Sequence, residues 1–381
     1  MSVIREPYGF VHKDTSPRKD TYGGPTGQVF VECMRVRPET ASRSAIVFSH
    51  PIGGGAFLPM VTALARAGRH CIYVNPRYRG NDTALIMEKC VADLGAAIAD
   101  LRQRFGYEKV ILGGWSGGGS LSLLYQDQAV NPTIAHTPDG SECDLAALGL
   151  IPADAVLLLA AHVSRAVTLT EWIDPSILDE DRPFEREPSL SLYDPAGPRP
   201  PYDAAFLERF RAAQVARNRR ITARARAWLA AIADGDEPDA ERCFTVQGTM
   251  ADPRFLDCAI DPSDRPPGLC YLGDPRIVND GPVGLARFST ARSWLSQWSL
   301  DATRADGLGN AARVTCPTLV VNNTADLACT PSHARRLFDA LGSADKRHVD
   351  IKGADHYYTS TPELLPLAVS SITGWLAERG L

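Results

Sequence analysis

The sequence predicts a doubly wound α/β fold, a mostly parallel sheet with helices on both faces, interrupted late by a mainly helical insertion. Three observations lead there. Short runs such as AIVFS, VILGG, AVLLLAA and PTLVVN are apolar on successive positions rather than alternating, as in strands covered on both faces. Helical stretches fill the gaps between these runs, and strand–helix alternation builds a parallel sheet. Between about residues 162 and 310 the rhythm changes to a segment rich in Pro, Arg, Asp and Trp.

In chain order, strands are expected at 28–36, 45–49, 71–75, 109–113, 155–161, 318–322 and 348–351. Helices are expected at 59–67 and at 83–105, where Ile86, Val91, Leu94, Ile98 and Leu101 recur at roughly helical spacing. Two further helices, at 331–341 and 362–378, begin with a proline in the first turn, where its missing N–H costs least. Within the insertion, 204–232 reads as one long helix with Leu207, Phe210, Ile221, Ala225 and Trp228 on one stripe, and 289–299 as another. The expected organisation is a core of 1–162 and 311–381 with a cap of 163–310.

Composition narrows the function. Of 381 residues, 44% are hydrophobic and 22% charged, the balance of a globular chain. A net charge of -5 offers no global basic field for nucleic acid or anionic lipid. No run approaches the roughly 20 apolar residues of a membrane span. The start MSVIREPYGFVHKD lacks a signal-peptide core, and nine scattered cysteines include no C-x-x-C pair. A soluble cytoplasmic protein with reduced thiols is therefore expected. No H-E-x-x-H, G-x-x-x-x-G-K-[ST] or G-x-G-x-x-G occurs, and no metal or cofactor is expected.

The strongest chemical signal is Gly114-Trp115-Ser116-Gly117-Gly118, directly after KVILG and before GSLSLLYQ. This is G-x-S-x-G between a strand and a helix; a bare glycine-rich turn is the plain alternative. A serine at its normal pKa needs a base and an orienting acid. Asp326 follows the run PTLVVNN and His356 follows HVDIKG, so Ser116, Asp326 and His356 fall in the chain order of that arrangement. Glu171 or Asp174 would serve if the acid came one strand earlier, and Asp355 is too near His356 to orient it. The loop Ser49-His50-Pro51-Ile52-Gly53-Gly54-Gly55 should supply an oxyanion donor alongside Gly117. Pro51 has no N–H, so Ile52 is the first choice and Gly53 the second.

With these motifs the chain resembles the α/β-hydrolase superfamily, over roughly 28–162 and 310–381, with a cap after AVLLLAAH where members often carry one. The resemblance implies the α/β-hydrolase fold and a serine hydrolase; serine rather than aspartate at the nucleophile position disfavours dehalogenase or epoxide-hydrolase activity. The expected reaction is cleavage of a carboxylic ester or lactone through an acyl-enzyme on Ser116. An acyltransferase using the same acyl-enzyme, amide or carbon–carbon cleavage, and a non-catalytic ligand-binding protein remain alternatives. One departure from the pattern is Pro51 after His50, where many members have glycine.

For the substrate pocket, Trp115, His162, Trp172, Trp294 and Trp298 are candidate walls. Arg217 and Arg224 fall on the side of the long helix that carries Phe210, Ile221 and Trp228. Either could bind a carboxylate or phosphate on the substrate; ion pairing with cap acids is the alternative. The expected partner is a small ester or lactone, aromatic or carboxylate-bearing.

Overall fold

The computed structural model describes every residue except 1, 18, 237 and 239. Its strands are β1 (Ile4–Lys13), β2 (Gln28–Arg37), β3 (Ser44–Ser49), β4 (Cys71–Asn75), β5 (Lys109–Trp115), β6 (Ala155–Leu159), β7 (Cys243–Thr245), β8 (Phe288–Thr290), β9 (Thr318–Asn323) and β10 (Lys346–Ile351). Eight of them form one sheet in the order β1-β2-β4-β3-β5-β6-β9-β10, while β7 and β8 form a separate hairpin. β1 pairs with β2, and β2 with β4, in antiparallel register. Every other pair in the large sheet is parallel.

Helices of eight or more residues are α1 (Pro59–Arg66), α2 (Met87–Phe105), α3 (Gly118–Val130), α4 (Arg165–Trp172), α5 (Ala204–Ala233), α6 (Pro331–Ala340) and α7 (Leu365–Ala377). One face of the sheet packs against α2, α3 and α6 through residues such as Leu94, Ile98, Leu121 and Leu337. The other packs against α1 and α7 through Met60, Leu64, Ile372 and Trp375. Apolar side chains on both faces of β3, β5 and β6 are thus removed from water, which is why these strands are continuous hydrophobic runs.

The stretch between β6 and β9 contributes no strand to the large sheet. It has an apolar cluster of its own, built on Leu169, Ile221, Ala225, Trp294 and Trp298. Polar contacts tie it down: Ser296 Oγ accepts from Met87 N–H at 2.8 Å and donates to Glu88 at 2.7 Å. Glu171 meets His333 of α6 at 2.9 Å.

Several expectations shift. β1 and α4 were not anticipated. Helix α2 starts at Met87 rather than 83, because Ile86 is extended (φ -117°). The stretch 289–299 divides into the end of β8, one α-turn and a π-turn over Trp294–Trp298. All nine cysteines are free, and among the described residues no helix is long and apolar enough to cross a membrane.

Candidate active site

Because β3, β5, β6, β9 and β10 run parallel, the loops at their carboxyl ends open on one edge of the sheet, where ligands of open α/β sheets bind. At that edge β5 ends on Trp115 and reverses into α3 through Ser116. Its φ of 51° is left-handed backbone, which costs a non-glycine residue roughly 1–3 kcal/mol. Neighbouring contacts hold it there: Ser116 N–H donates to Leu159 C=O at 3.2 Å, and its C=O accepts from Gly119 N–H at 3.0 Å. The turn closes only on glycine. A Cβ on Gly114 would lie 2.7 Å from the Gly119 Cα, and one on Gly118 would lie 2.2 Å from the Ser49 carbonyl oxygen.

The loops after β9 and β10 bring Asp326 and His356 together. Asp326 is fully buried. Its Oδ1 accepts from Ala328 N–H at 2.6 Å and Cys329 N–H at 2.9 Å, and its Oδ2 lies 2.6 Å from His356 Nδ1. The loops are tied by Asn323, whose Nδ2 donates to Asp355 C=O and whose Oδ1 accepts from Tyr358 Oη. The His356 ring sits edge-on to Trp115 (6.0 Å between ring centres), Tyr271 (5.6 Å) and Tyr357 (4.5 Å). With Nδ1 engaged, Nε2 is the nitrogen left to exchange a proton. Ser116 Oγ makes no hydrogen bond to His356 among the described residues; its contact is with Cys329 Sγ at 3.9 Å. Burial, then the Asp326 charge, pushes the Cys329 thiol well above its ordinary pKa, so Cys329 stays protonated beside the serine.

The other acids expected as alternatives are engaged elsewhere. Glu171 pairs with His333, Arg254 and Arg336, and Asp174 with Arg186, Ser176 and Asn279. Asp355 accepts from the N–H groups of Tyr357, Thr359 and Ser360 and shapes its own loop.

Gly117 N–H has no acceptor among the described residues. In the early loop, Gly53 N–H donates to His50 C=O at 2.7 Å and Gly54 N–H to Asn75 Oδ1 at 2.8 Å. Ile52 N–H donates to His50 Nδ1 at 3.3 Å. The first and second choices for the early-loop oxyanion donor, Ile52 and Gly53, therefore both have their N–H groups engaged within their own loop.

Ser116 opens on a cavity of about 500 Å³, the size range of small-molecule sites. Of the expected walls, Trp115, His162, Trp172 and Trp298 line it, as do Ile52 and Gly53. Trp294, Arg217 and Arg224 do not, and each has a physical reason. Trp294 is fully buried in the apolar cluster it shares with Leu169, Ile221 and Trp298, its Nε1 donating to Thr222 at 2.9 Å. Arg217 is also fully buried, held by Glu180 and the carbonyls of Asp174, Gln247 and Gly248. Arg224 is a surface residue paired with Asp181 at 2.7 Å and stacked on Trp228.

The cation that does line the cavity is Arg165, in the first turn of α4. It is 5% exposed. Asp82, also a lining residue, holds its Nη2 at 2.5 Å. The guanidinium lies 4.2 Å over the Trp298 ring, and Nε has no partner among the described residues. Its sequence signal is modest: an arginine right after Ser164, which caps α4 by accepting from Val167 N–H, just past the end of β6.

A family model described as the alpha/beta hydrolase fold matches residues 45–135. Among solved structures the chain is similar to the α/β hydrolase GrgF from Penicillium sp. sh18 (12% identity, 99% of this chain and 100% of that one, TM-score 0.53). It is also similar to the monoacylglycerol lipase of Paleococcus ferrophilus (14% identity, 99% of each chain, TM-score 0.45). The esterase domain of a Rhodothermus marinus protein matches at 12% identity over 97% of this chain and 98% of that one (TM-score 0.47). No curated protein matches the sequence. The eight-stranded sheet, the family model and the likeness to GrgF together establish the fold as that of the α/β hydrolases.

Proposed function

We propose that this protein is a cofactor-independent serine hydrolase that cleaves a carboxylic ester or lactone. Residues 1–162 and 311–381 form its catalytic core, and 163–310 a cap that roofs the pocket. The observation that carries this reading is the pair His356 Nδ1 and Asp326 Oδ2, 2.6 Å apart, at the sheet edge where Ser116 stands in a strained turn. An imidazole so held is oriented by Asp326 and stabilised when it charges.

In the proposed reaction Ser116 Oγ bonds to the carbonyl carbon while its proton passes to His356 Nε2. The carbonyl π electrons become a negative charge on oxygen, which the Gly117 N–H stabilises. Collapse of this intermediate expels the alkoxide, which takes the proton from His356. Water then gives a proton to the same nitrogen as it attacks the acyl carbon, and collapse of this second intermediate breaks the bond to Ser116 Oγ, which takes the proton back from His356 as the acid leaves. In a lactone, alcohol and acid are parts of one product.

The pocket supports a substrate with an apolar or aromatic body and an anionic or strongly polar end. Trp115, Trp172, Trp298 and Tyr357 provide apolar wall, and Arg165 the positive charge. The test is a panel of p-nitrophenyl esters, lactones and amides run with wild type and Ser116→Ala, with and without alcohol or thiol acceptors. Ester or lactone hydrolysis that needs Ser116 supports the proposal. Transfer to an added acceptor in preference to water would make the protein an acyltransferase.

A further inference from the structure

The oxyanion of the proposed reaction needs a second hydrogen-bond donor beside Gly117, and the early loop has none left on its backbone at positions 51 to 54. Pro51 carries no N–H. The N–H groups of Ile52, Gly53 and Gly54 go to His50 Nδ1, His50 C=O and Asn75 Oδ1. What these bonds leave available is a side-chain group. A backbone N–H can only donate, so Ile52 defines His50 Nδ1 as an acceptor, and in the neutral imidazole the proton then resides on Nε2.

That Nε2 lies against the nucleophile turn. A Cβ on Gly117 would sit 2.7 Å from it, which puts Nε2 within about 5 Å of Gly117 N, using standard bond lengths. An oxygen that accepts at about 2.9 Å from each of two donors spans donors up to about 5.8 Å apart, so one oxygen can reach both. His50 also lines the cavity onto which Ser116 opens. His162 Nε2 borders the same spot at 3.3 Å from that Cβ, but His162 Nδ1 has no partner among the described residues, so nothing fixes its tautomer.

We infer that His50 is a catalytic residue whose Nε2–H is the second oxyanion donor, with Ile52 N–H serving to orient that ring instead of contacting substrate. This rests on the serine-hydrolase reading and replaces its expected second donor. His50 gives a hydrogen bond and keeps its proton throughout; the only proton transfers are those between Ser116, His356, the leaving group and water. Its neutrality is physically maintained: removal from bulk water, followed by repulsion from Arg165 and from His356 when that ring is protonated, lowers its pKa to about 3.

The two donor assignments predict opposite outcomes for His50→Phe, which keeps a ring and removes both nitrogens. If Ile52 N–H were the donor, this variant would release it and keep activity. If His50 Nε2–H is the donor, kcat on a p-nitrophenyl ester falls about 100-fold or more, with KM changed less than about threefold. The Ki of a trifluoromethyl ketone, which forms a tetrahedral adduct on Ser116, should rise in parallel with the loss of kcat/KM. His50→Gln, which restores a side-chain N–H, should recover part of the loss. Activity of His50→Phe within threefold of wild type overturns the inference.

A measurement on the wild-type protein avoids any folding defect of the variant. In 15N-histidine NMR, His50 should be neutral and protonated on Nε2 at pH 6, and that proton should move downfield in the ketone adduct. A proton on Nδ1, or an unmoved Nε2–H, overturns the inference. Fluorophosphonate labelling of Ser116 in wild type reports the underlying reading separately. Labelling together with an active His50→Phe removes only the His50 assignment; a wild type that neither labels nor turns over removes both.

Discussion

Asp326 holds His356 from one side only: Oδ2 faces the imidazole Nδ1 at 2.6 Å while Oδ1 is saturated by the N–H groups of Ala328 and Cys329. Those two backbone bonds fix the carboxylate plane, so the carboxylate in turn fixes the ring. Asp326→Asn should keep the loop, since an amide oxygen can accept from the same N–H groups. Its NH2 would then face Nδ1 and force the proton onto Nε2, the wrong tautomer for a base. The expected result is a fall in kcat of about 10⁴-fold with KM little changed. Steady-state kinetics would contradict this if kcat fell less than tenfold in a folded variant.

Arg165, not the expected Arg217 or Arg224, is the arginine that lines the cavity. Arg165→Met keeps an unbranched stem of similar length and removes the guanidinium that lies over Trp298 and pairs with Asp82. KM for esters carrying a carboxylate should rise at least about tenfold, the order expected for losing one charge-assisted hydrogen bond. KM for neutral esters of the same size should hold. Equal changes for both classes would mean that Arg165 only shapes the cavity.

Glu88 makes a pH-dependent contribution at the junction between α2 and the segment carrying Ser296. It is fully buried, and burial, opposed by the Ser296 hydrogen bond, raises its pKa to about 7. A carboxyl whose folded pKa lies above its unfolded value stabilises the fold least when ionised. Wild-type stability should therefore decline as pH rises from about 4.5 to 7, by about 3 kcal/mol from the size of the shift. Glu88→Gln should remove that decline. Urea unfolding of both proteins at pH 5 and pH 8 tests this, and parallel pH profiles would refute it.

Gly118→Ala places a methyl group 2.2 Å from the Ser49 carbonyl oxygen, a backbone atom that cannot turn aside. The turn at Ser116 must shift against β3, at a cost of about 1–3 kcal/mol. Urea denaturation should show that loss along with reduced turnover. A variant as stable and as active as wild type would show that the packing at the turn is looser than described.

Much of the fold was legible because the strands announce themselves. AIVFS, VILGG and PTLVVN are buried on both faces, so each residue carries the same instruction. β1 did not, being an edge strand whose residues are mostly half-exposed; Tyr8 and Phe10 are separated by glycine, and the run reads as a loop. Helical periodicity correctly indicated the buried stripe of α5 but not what it is buried against. Arg217 does lie on that stripe and points inward, yet it meets Glu180 and three carbonyls rather than a ligand. Trp294 likewise belongs to a packed cluster. Arg165 was overlooked because α4 has only eight residues and its arginine carries no motif. The engagement of Ile52 N–H by the preceding imidazole depends on a ring rotamer, which no residue pattern reveals.

The most direct test of the central claim is fluorophosphonate labelling of the native protein, read by intact mass and peptide mapping, in wild type and in Ser116→Ala. The account predicts a single adduct on Ser116 and none on the variant, with ester turnover lost in the labelled protein. A native wild type that takes up no label, or takes it up equally in Ser116→Ala, would contradict it.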